Sequence, residues 1–223
     1  MTQRSGMFHL PGGDMNASYV RNTFVALSAE AGLASLDAAT TYSATAACFN
    51  CWNQTRAADT SNQNVIIIPR LLRLTAKAVN TTASDMRFHI VLDNTNRYSS
   101  GGTELTPVTT SDDEPTAFVD YTPKAKIYAG ELTLAAASAA KIIARVLASV
   151  TILAANDVIE LWFGTPQGGS MDGTGQTRTV ITVAPVVIGR NQNMSVHEVA
   201  TAQAADPKFQ YEFWYEEHNH SRV

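Results

Sequence analysis

Phe209-Gln210-Tyr211-Glu212-Phe213-Trp214-Tyr215-Glu216, near the end of a 223-residue chain, decides the fold. Phe209, Tyr211, Phe213 and Tyr215 alternate with Gln210, Glu212 and Glu216. A period of two belongs to a strand with one buried and one solvated face. Upstream, Val180–Ile188 is rich in β-branched residues and runs into the turn-forming Gly189-Arg190-Asn191-Gln192-Asn193. Residues 157–218 therefore read as a succession of strands, the last of which close a β-domain.

The same pattern recurs toward the N-terminus. Expected strands cover Thr23–Ser28, Ala46–Gln54, Asn64–Val79, Met86–Leu92, Lys124–Leu134, Asp157–Gly164, Arg178–Ile188, Met194–Ala202 and Lys208–Glu217. Within Asn64–Val79, Leu72, Leu74, Ala76 and Ala78 alternate with Arg73, Thr75 and Lys77. Pro69 cannot donate to a ladder, so it marks a bend or an edge position. Asn80-Thr81-Thr82-Ala83-Ser84 then leads to the next strand, most simply as a hairpin. Residues 93–123 read as a long polar loop, with Ser99-Ser100-Gly101-Gly102 and Asp112-Asp113-Glu114-Pro115 inside it. Residues 135–150 alone carry helical spacing, at Ile142, Ile143, Val146, Leu147 and Val150, with Ser138 able to cap. A short helix is expected over about 136–148. Residues 1–22, with Pro11-Gly12-Gly13, read either as an extended arm that the apolar anchors Met7, Phe8 and Leu10 pin to this subunit or a neighbour, or as a frayed tail. The expected architecture is all-β. It is a jelly-roll-like antiparallel β-sandwich occupying residues 23–223 as one domain, preceded by the arm and carrying at most that one helix.

Composition narrows the function. The chain is 45% hydrophobic, enough for a substantial core, yet only 16% charged. A surface poor in charge and rich in Ala, Thr, Ser and Asn suits extensive protein contact. The net charge of −4 gives no footprint for wrapping nucleic acid. No stretch approaches the length of an apolar membrane span. Without an apolar run near the N-terminus a signal peptide is not expected, and the protein is expected to be made and kept in the cytosol. Two cysteines cannot build a disulfide framework in a chain of this length.

Candidate chemistry is sparse. Cys48-Phe49-Asn50-Cys51 has CxxC spacing, but in a strand residues three apart point to opposite faces, so two unpaired thiols are expected. Glu216, His218 and His220 are close enough in sequence to gather a metal, but solvated histidines are the simpler reading. Asp93–Glu104 has the length of a calcium loop, but Tyr98 stands where its glycine turn belongs and Arg97 at a ligand position. Asp112, Asp113 and Glu114 read as a charged solvated loop. Gly168–Gly175 lacks the Gly-Lys-Ser/Thr of a phosphate cradle. No catalytic residue, cofactor or metal is therefore expected. A jelly-roll hydrolase would need at least three of Glu160, Glu198, Glu216, His197 and His218 to converge. Trp52, Trp162 and Trp214 all fall in expected strands; Trp162 and Trp214 are interaction candidates, either in subunit contacts or by stacking on sugars.

Four segments carry a resemblance: Pro69-Arg70-Leu71-Leu72-Arg73-Leu74, Phe88-His89-Ile90-Val91-Leu92-Asp93, Asn156–Gly164 and Phe209–Glu217. Their order and pattern, over about residues 65–217, resemble head decoration (cement) proteins of tailed phages and related jelly-roll virion components. The resemblance implies a non-enzymatic β-sandwich on the capsid exterior, assembled in the host cytoplasm. Its implied partners are the major capsid protein and copies of itself, in a homo-oligomer such as a trimer. It carries over no functional residue. The alternatives in view are a carbohydrate-binding fibre or lectin-like module and a jelly-roll main capsid subunit.

Overall fold

A computed structural model of the chain describes residues 23–35, 41–55, 65–78, 85–109, 123–137, 139–149, 153–164, 178–200 and 207–219. The strands are β1 (Thr23–Leu27), β2 (Leu33–Ala34), β3 (Ala46–Asn53), β4 (Val65–Ala78), β5 (Met86–Asp93), β6 (Tyr98–Leu105) and β7 (Pro107–Thr109). They continue with β8 (Ala125–Leu134), β9 (Lys141–Ser149), β10 (Val158–Phe163), β11 (Arg178–Val183), β12 (Asn193–Val199) and β13 (Lys208–Asn219). They form two sheets. The first runs β11-β10-β4-β13-β1-β7, with β2 also on β13; the second runs β6-β8-β3-β12-β5-β9. Every pairing is antiparallel except β10 with β11. The described residues form the expected all-β sandwich.

Alternation sets which side chains fill the space between the sheets. Phe209, Tyr211, Phe213 and Tyr215 on β13 are all buried there, as the period of two requires. Phe213 meets Phe49 of the opposite sheet at 4.9 Å between ring centroids, and stacks on Tyr215 at 5.3 Å. These aromatic pairs join the two layers into one core. Polar side chains tie the same layers at their ends. Asn53 donates to the carbonyls of Val65 (2.8 Å) and Ile188 (3.2 Å), and Glu217 accepts from the backbone amides of Lys124 and Ala125.

Four expectations are corrected. The segment expected as a helix over 136–148 contains β9, an edge strand in which Ala144, Val146 and Ala148 turn toward the core while Ile142, Ile143 and Leu147 face outward. A strand apolar on both faces imitates helical spacing, and its β-branched residues favour the pleat. β4 and β5 do not form a hairpin, since β4 lies in the first sheet and β5 in the second. The expected polar loop over 93–123 contains β6 and β7, and β6 pairs along β8 through Gly101 and Gly102 at positive φ. Any Cβ there would strike the β8 backbone, 2.4 Å from the Glu131 carbonyl oxygen at Gly101 and 2.6 Å from that of Ala129 at Gly102. Finally, Cys48 and Cys51 both belong to the inter-sheet core instead of facing opposite sides. A register shift between Ala47 and Phe49, where β8 holds one residue more than β3, sets Gly130 and Glu131 opposite Cys48 and interrupts the alternation there.

Pro69 behaves as its chemistry demands. β10 pairs with β4 only as far as Leu71, and the next contact on that flank is the bridge between Ile67 and Ile188. Pro69 falls in the gap, where its missing N–H deprives no neighbour. Opposite it, β13 shows a register shift between Trp214 and Tyr215.

Candidate functional site

The outward face of the first sheet carries the most ordered group of side chains. β4 lies between β10 and β13, and cross-strand register assembles two rows on that face. Glu160, Arg73 and Glu212 stand abreast in one row, and Trp162, Leu71 and Trp214 in the next. The sequence builds this from one short pattern used twice, Glu160-Leu161-Trp162 on β10 and Glu212-Phe213-Trp214 on β13. In each, the middle residue enters the core while the glutamate and tryptophan share the outer face. Val25 of β1 and Val108 of β7 continue the tryptophan row, in register with Trp214 and with each other.

Hydrogen bonds fix these side chains. The Trp162 indole N–H donates to Glu160 at 2.9 Å, and the Trp214 indole N–H to Glu212 at 2.5 Å. Arg73 donates from Nε to Glu160 at 3.0 Å and from Nη1 to Glu212 at 2.8 Å, so one guanidinium clamps both carboxylates. Arg178 of β11 adds a 2.7 Å bond to Glu160. Burial alone would raise the Glu160 pKa, but the bonds from Arg178, Trp162 and Arg73 outweigh it and hold the carboxyl below its ordinary range. Both tryptophans remain partly exposed. The indole edges are thus anchored, and the ring faces are what a ligand can reach.

A second ion-paired group lies farther along β13. Glu216 is bound through both oxygens by Arg70, at 2.8 and 2.9 Å, and receives His218 at 2.7 Å. Burial again opposes ionisation, and the bonds from His218 and Arg70 overcome it, lowering the Glu216 pKa.

The second sheet covers its outer face differently. Asn50, Asn193, Ser195 and His197 are fully buried there, and Tyr42 packs against the His197 ring. The His197 Nδ1–H donates to the carbonyl of Ala46, and Nε2 lies 2.9 Å from the Ser195 hydroxyl. Burial pushes the His197 pKa down to about 4, against the two carbonyls that favour its protonated form. The side-chain amides of Asn50 and Asn193 have no hydrogen-bond partner among the described residues. At the far end of this sheet, β9 ends the strand order. Ile142, Ile143 and Leu147 are 37%, 39% and 52% exposed along it.

The carboxylates and imidazoles named for a hydrolase do not converge. Glu216 and His218 pair with each other, Glu160 belongs to the Arg73 clamp, Glu198 bonds Ser35 inside the sandwich, and His197 faces the opposite side of the second sheet. Among the described residues no three His, Cys, Asp or Glu lie close enough to share a metal ion. Both cysteines are free, and burial raises their pKa. Met7, Phe8, Leu10, Asp112–Glu114, Gly168–Gly175 and His220 lie outside the described residues.

No family model, curated protein or solved structure matches the chain.

Of the interaction candidates, Trp162 and Trp214 are brought onto one face, one strand apart, while Trp52 projects from the second sheet toward Asn191. Sequence reasoning missed Arg73, Glu160 and Glu212 as their supports. The repeated Glu-apolar-Trp triplet was the available signal, since in a strand it puts a carboxylate beside each indole.

Proposed function

We propose that the chain is a non-enzymatic virion structural protein, of the head-decoration kind, that associates with copies of itself and with the major capsid protein of an assembled shell. The observation that carries this reading is the edge of β9. An edge strand presents unpaired N–H and C=O groups, and proteins ordinarily blunt such edges with charge, proline or a covering element. β9 carries exposed Lys141 and Arg145, yet beside them it also exposes Ile142, Ile143 and Leu147. A strand or loop of a neighbour laid along it gains main-chain hydrogen bonds and buries those side chains together. Repeated around a symmetric shell, such contacts stabilise the assembled state by mass action, and weak ones sum through avidity. The low charge of the chain supports close approach of many copies. The carboxylates of the first sheet also fit a passive role, because guanidinium partners hold Glu160 and Glu216 ionised and occupied.

The test joins sedimentation velocity of the purified chain with co-sedimentation on phage heads that lack it. Self-association and head binding are expected, and Ile143→Lys with Leu147→Lys should abolish both while leaving the unfolding midpoint in place. A monomer that ignores the heads overturns the proposal. Copy number per head separates decoration from the main shell: a number matching the shell lattice itself would make this chain the shell subunit.

A further inference from the structure

We infer that the outer face of the first sheet is a binding platform for a neutral, extended β-1,4-linked glycan, with Trp162 and Trp214 as its two stacking rings. The inference goes beyond shell binding and uses a different surface, so either can fail alone.

Spacing is the first argument. Trp162 and Trp214 stand in one row on strands separated only by β4. Two interstrand steps put their backbones about 9.5 Å apart. That is close to the repeat of a β-1,4-linked disaccharide, in which alternate pyranose rings present the same flat face. A ribbon-like glycan laid across the strands can therefore set every second ring on an indole and pass over Leu71 between them. An α-linked chain curls and does not repeat this way.

Anchoring is the second. Each indole N–H is already bonded to the carboxylate two residues earlier, and both carboxylates are held by Arg73. A platform whose rings are fixed before binding loses little side-chain freedom when a ligand arrives. The N–H groups are satisfied internally, so recognition falls to the ring faces, which suits the C–H faces of sugars. A hydroxyl partner stands beside one ring, with Thr182 next to Trp162 in the cross-strand register.

Charge is the third. The ionised groups bonded to one another here are Glu160, Glu212 and Glu216 against Arg70, Arg73 and Arg178, three of each sign. The charges around the rings are thus balanced and internally paired, while Lys77 and Lys208 stand apart near the end of β4 and at the start of β13. The ring rows themselves therefore offer little to a charged ligand. A neutral polymer meets no such penalty. A second copy of the chain docked by the same aromatic row is the competing occupant.

The experiment titrates the intact protein with cellohexaose, chitohexaose and, as the α-linked comparison, maltohexaose, following tryptophan fluorescence and calorimetric heat. Binding of at least one β-1,4 hexasaccharide is expected, with maltohexaose weaker by about tenfold or more. Trp162→Ala and Trp214→Ala should each weaken binding by about tenfold. The matching Phe variants keep a stacking face, fold without the indole N–H, and should stay within a few-fold of the parent. Trp52→Ala, on the other sheet, should change nothing. Equal binding of all three sugars, unaffected binding in both alanine variants, or no binding at millimolar sugar by the folded parent would overturn the inference. So would self-association that Trp162→Ala abolishes when no sugar binds, because the row would then belong to a second copy.

Discussion

Replacing Glu160 with glutamine tests whether the clamp around Arg73 is an ionic support or a bystander. Glu160 is 1% exposed and accepts three bonds: from Arg73 on one oxygen, and from Trp162 and Arg178 on the other. Glutamine keeps the shape but has only one acceptor. With its oxygen turned to Trp162 and Arg178, its amide group faces the Arg73 Nε–H, and that 3.0 Å bond is lost. A buried bond to a charged group is worth about 1.5–3 kcal/mol. The Arg73 and Arg178 side chains are 34% and 26% exposed, and both can turn toward water. That screening lowers the expected loss to about 1–2 kcal/mol. For a domain of this size it corresponds to a fall in Tm of about 2–8 °C. The pH dependence is sharper than the magnitude. The folded pKa of Glu160 lies below its ordinary value, so its contribution is present above the unfolded pKa and disappears as pH falls through the folded one. In urea unfolding, parent and Glu160→Gln should differ by about 1–2 kcal/mol at neutral pH and converge as pH falls below the ordinary carboxylate range. No difference at neutral pH, or a gap that persists unchanged in acid, would refute the assignment.

Three further outcomes follow from the same coordinates. Phe213→Ala removes a fully buried ring between Phe49 and Tyr215 and should cost about 3–5 kcal/mol in urea unfolding, unless the two sheets close over the space. His197, with a folded pKa of about 4 against an ordinary 6.5, binds its proton more readily unfolded than folded. Its contribution to stability, on the order of 3 kcal/mol, should be intact above pH 6.5 and drain away as pH falls from 6.5 toward 4. An imidazole NMR titration in the native protein with a midpoint near 6.5 would contradict this. Cys48 and Cys51 should resist an aromatic disulfide reagent in native buffer and react at the rate of unfolding, because both thiols are buried and their pKa values raised; prompt labelling would place them elsewhere.

Much of the fold was legible where one face of a strand is wet. β13, β5 and the second half of β4 alternate cleanly, and their expected bounds differ from the observed ones only at the ends. Legibility failed where both faces are covered or both apolar. β9 has aliphatic side chains on either side, so its two-residue period vanished into apparent helical spacing. β12 is buried at every position, with polar Asn193, Ser195 and His197 on the covered outer side, a layer that alternation alone describes as solvated. The partnership of Arg73 with Glu160 and Glu212 depends on β10 and β13 both neighbouring β4, which is long-range topology. The tryptophans themselves were visible; their shared row was not.

The deepest reason for that gap is a shift of phase at two bulges. Strict alternation from Ile67 would send Leu71 inward and Leu72 outward. Instead Leu71 pairs with Trp214 while Pro69 pairs with Tyr215, so the β4 segment holds one residue more than its partner. Arg70 and Leu71 consequently both face outward, one over Glu216 and the other between the two indoles, and Leu72, Leu74 and Ala76 enter the core. The shift opposite Cys48, where β8 holds the extra residue, accompanies a second break in alternation, with two successive residues, Cys48 and Phe49, turned inward. Bulges reset which side chains reach a given face, and they are placed where a face must carry something specific. Here one of them supplies Phe49 to meet Phe213 across the core. The other sets Leu71 in line with Trp162 and Trp214 on the outside. A register without that second bulge would break the aromatic row, so the proline that permits it at Pro69 is as much a part of the outer platform as the rings.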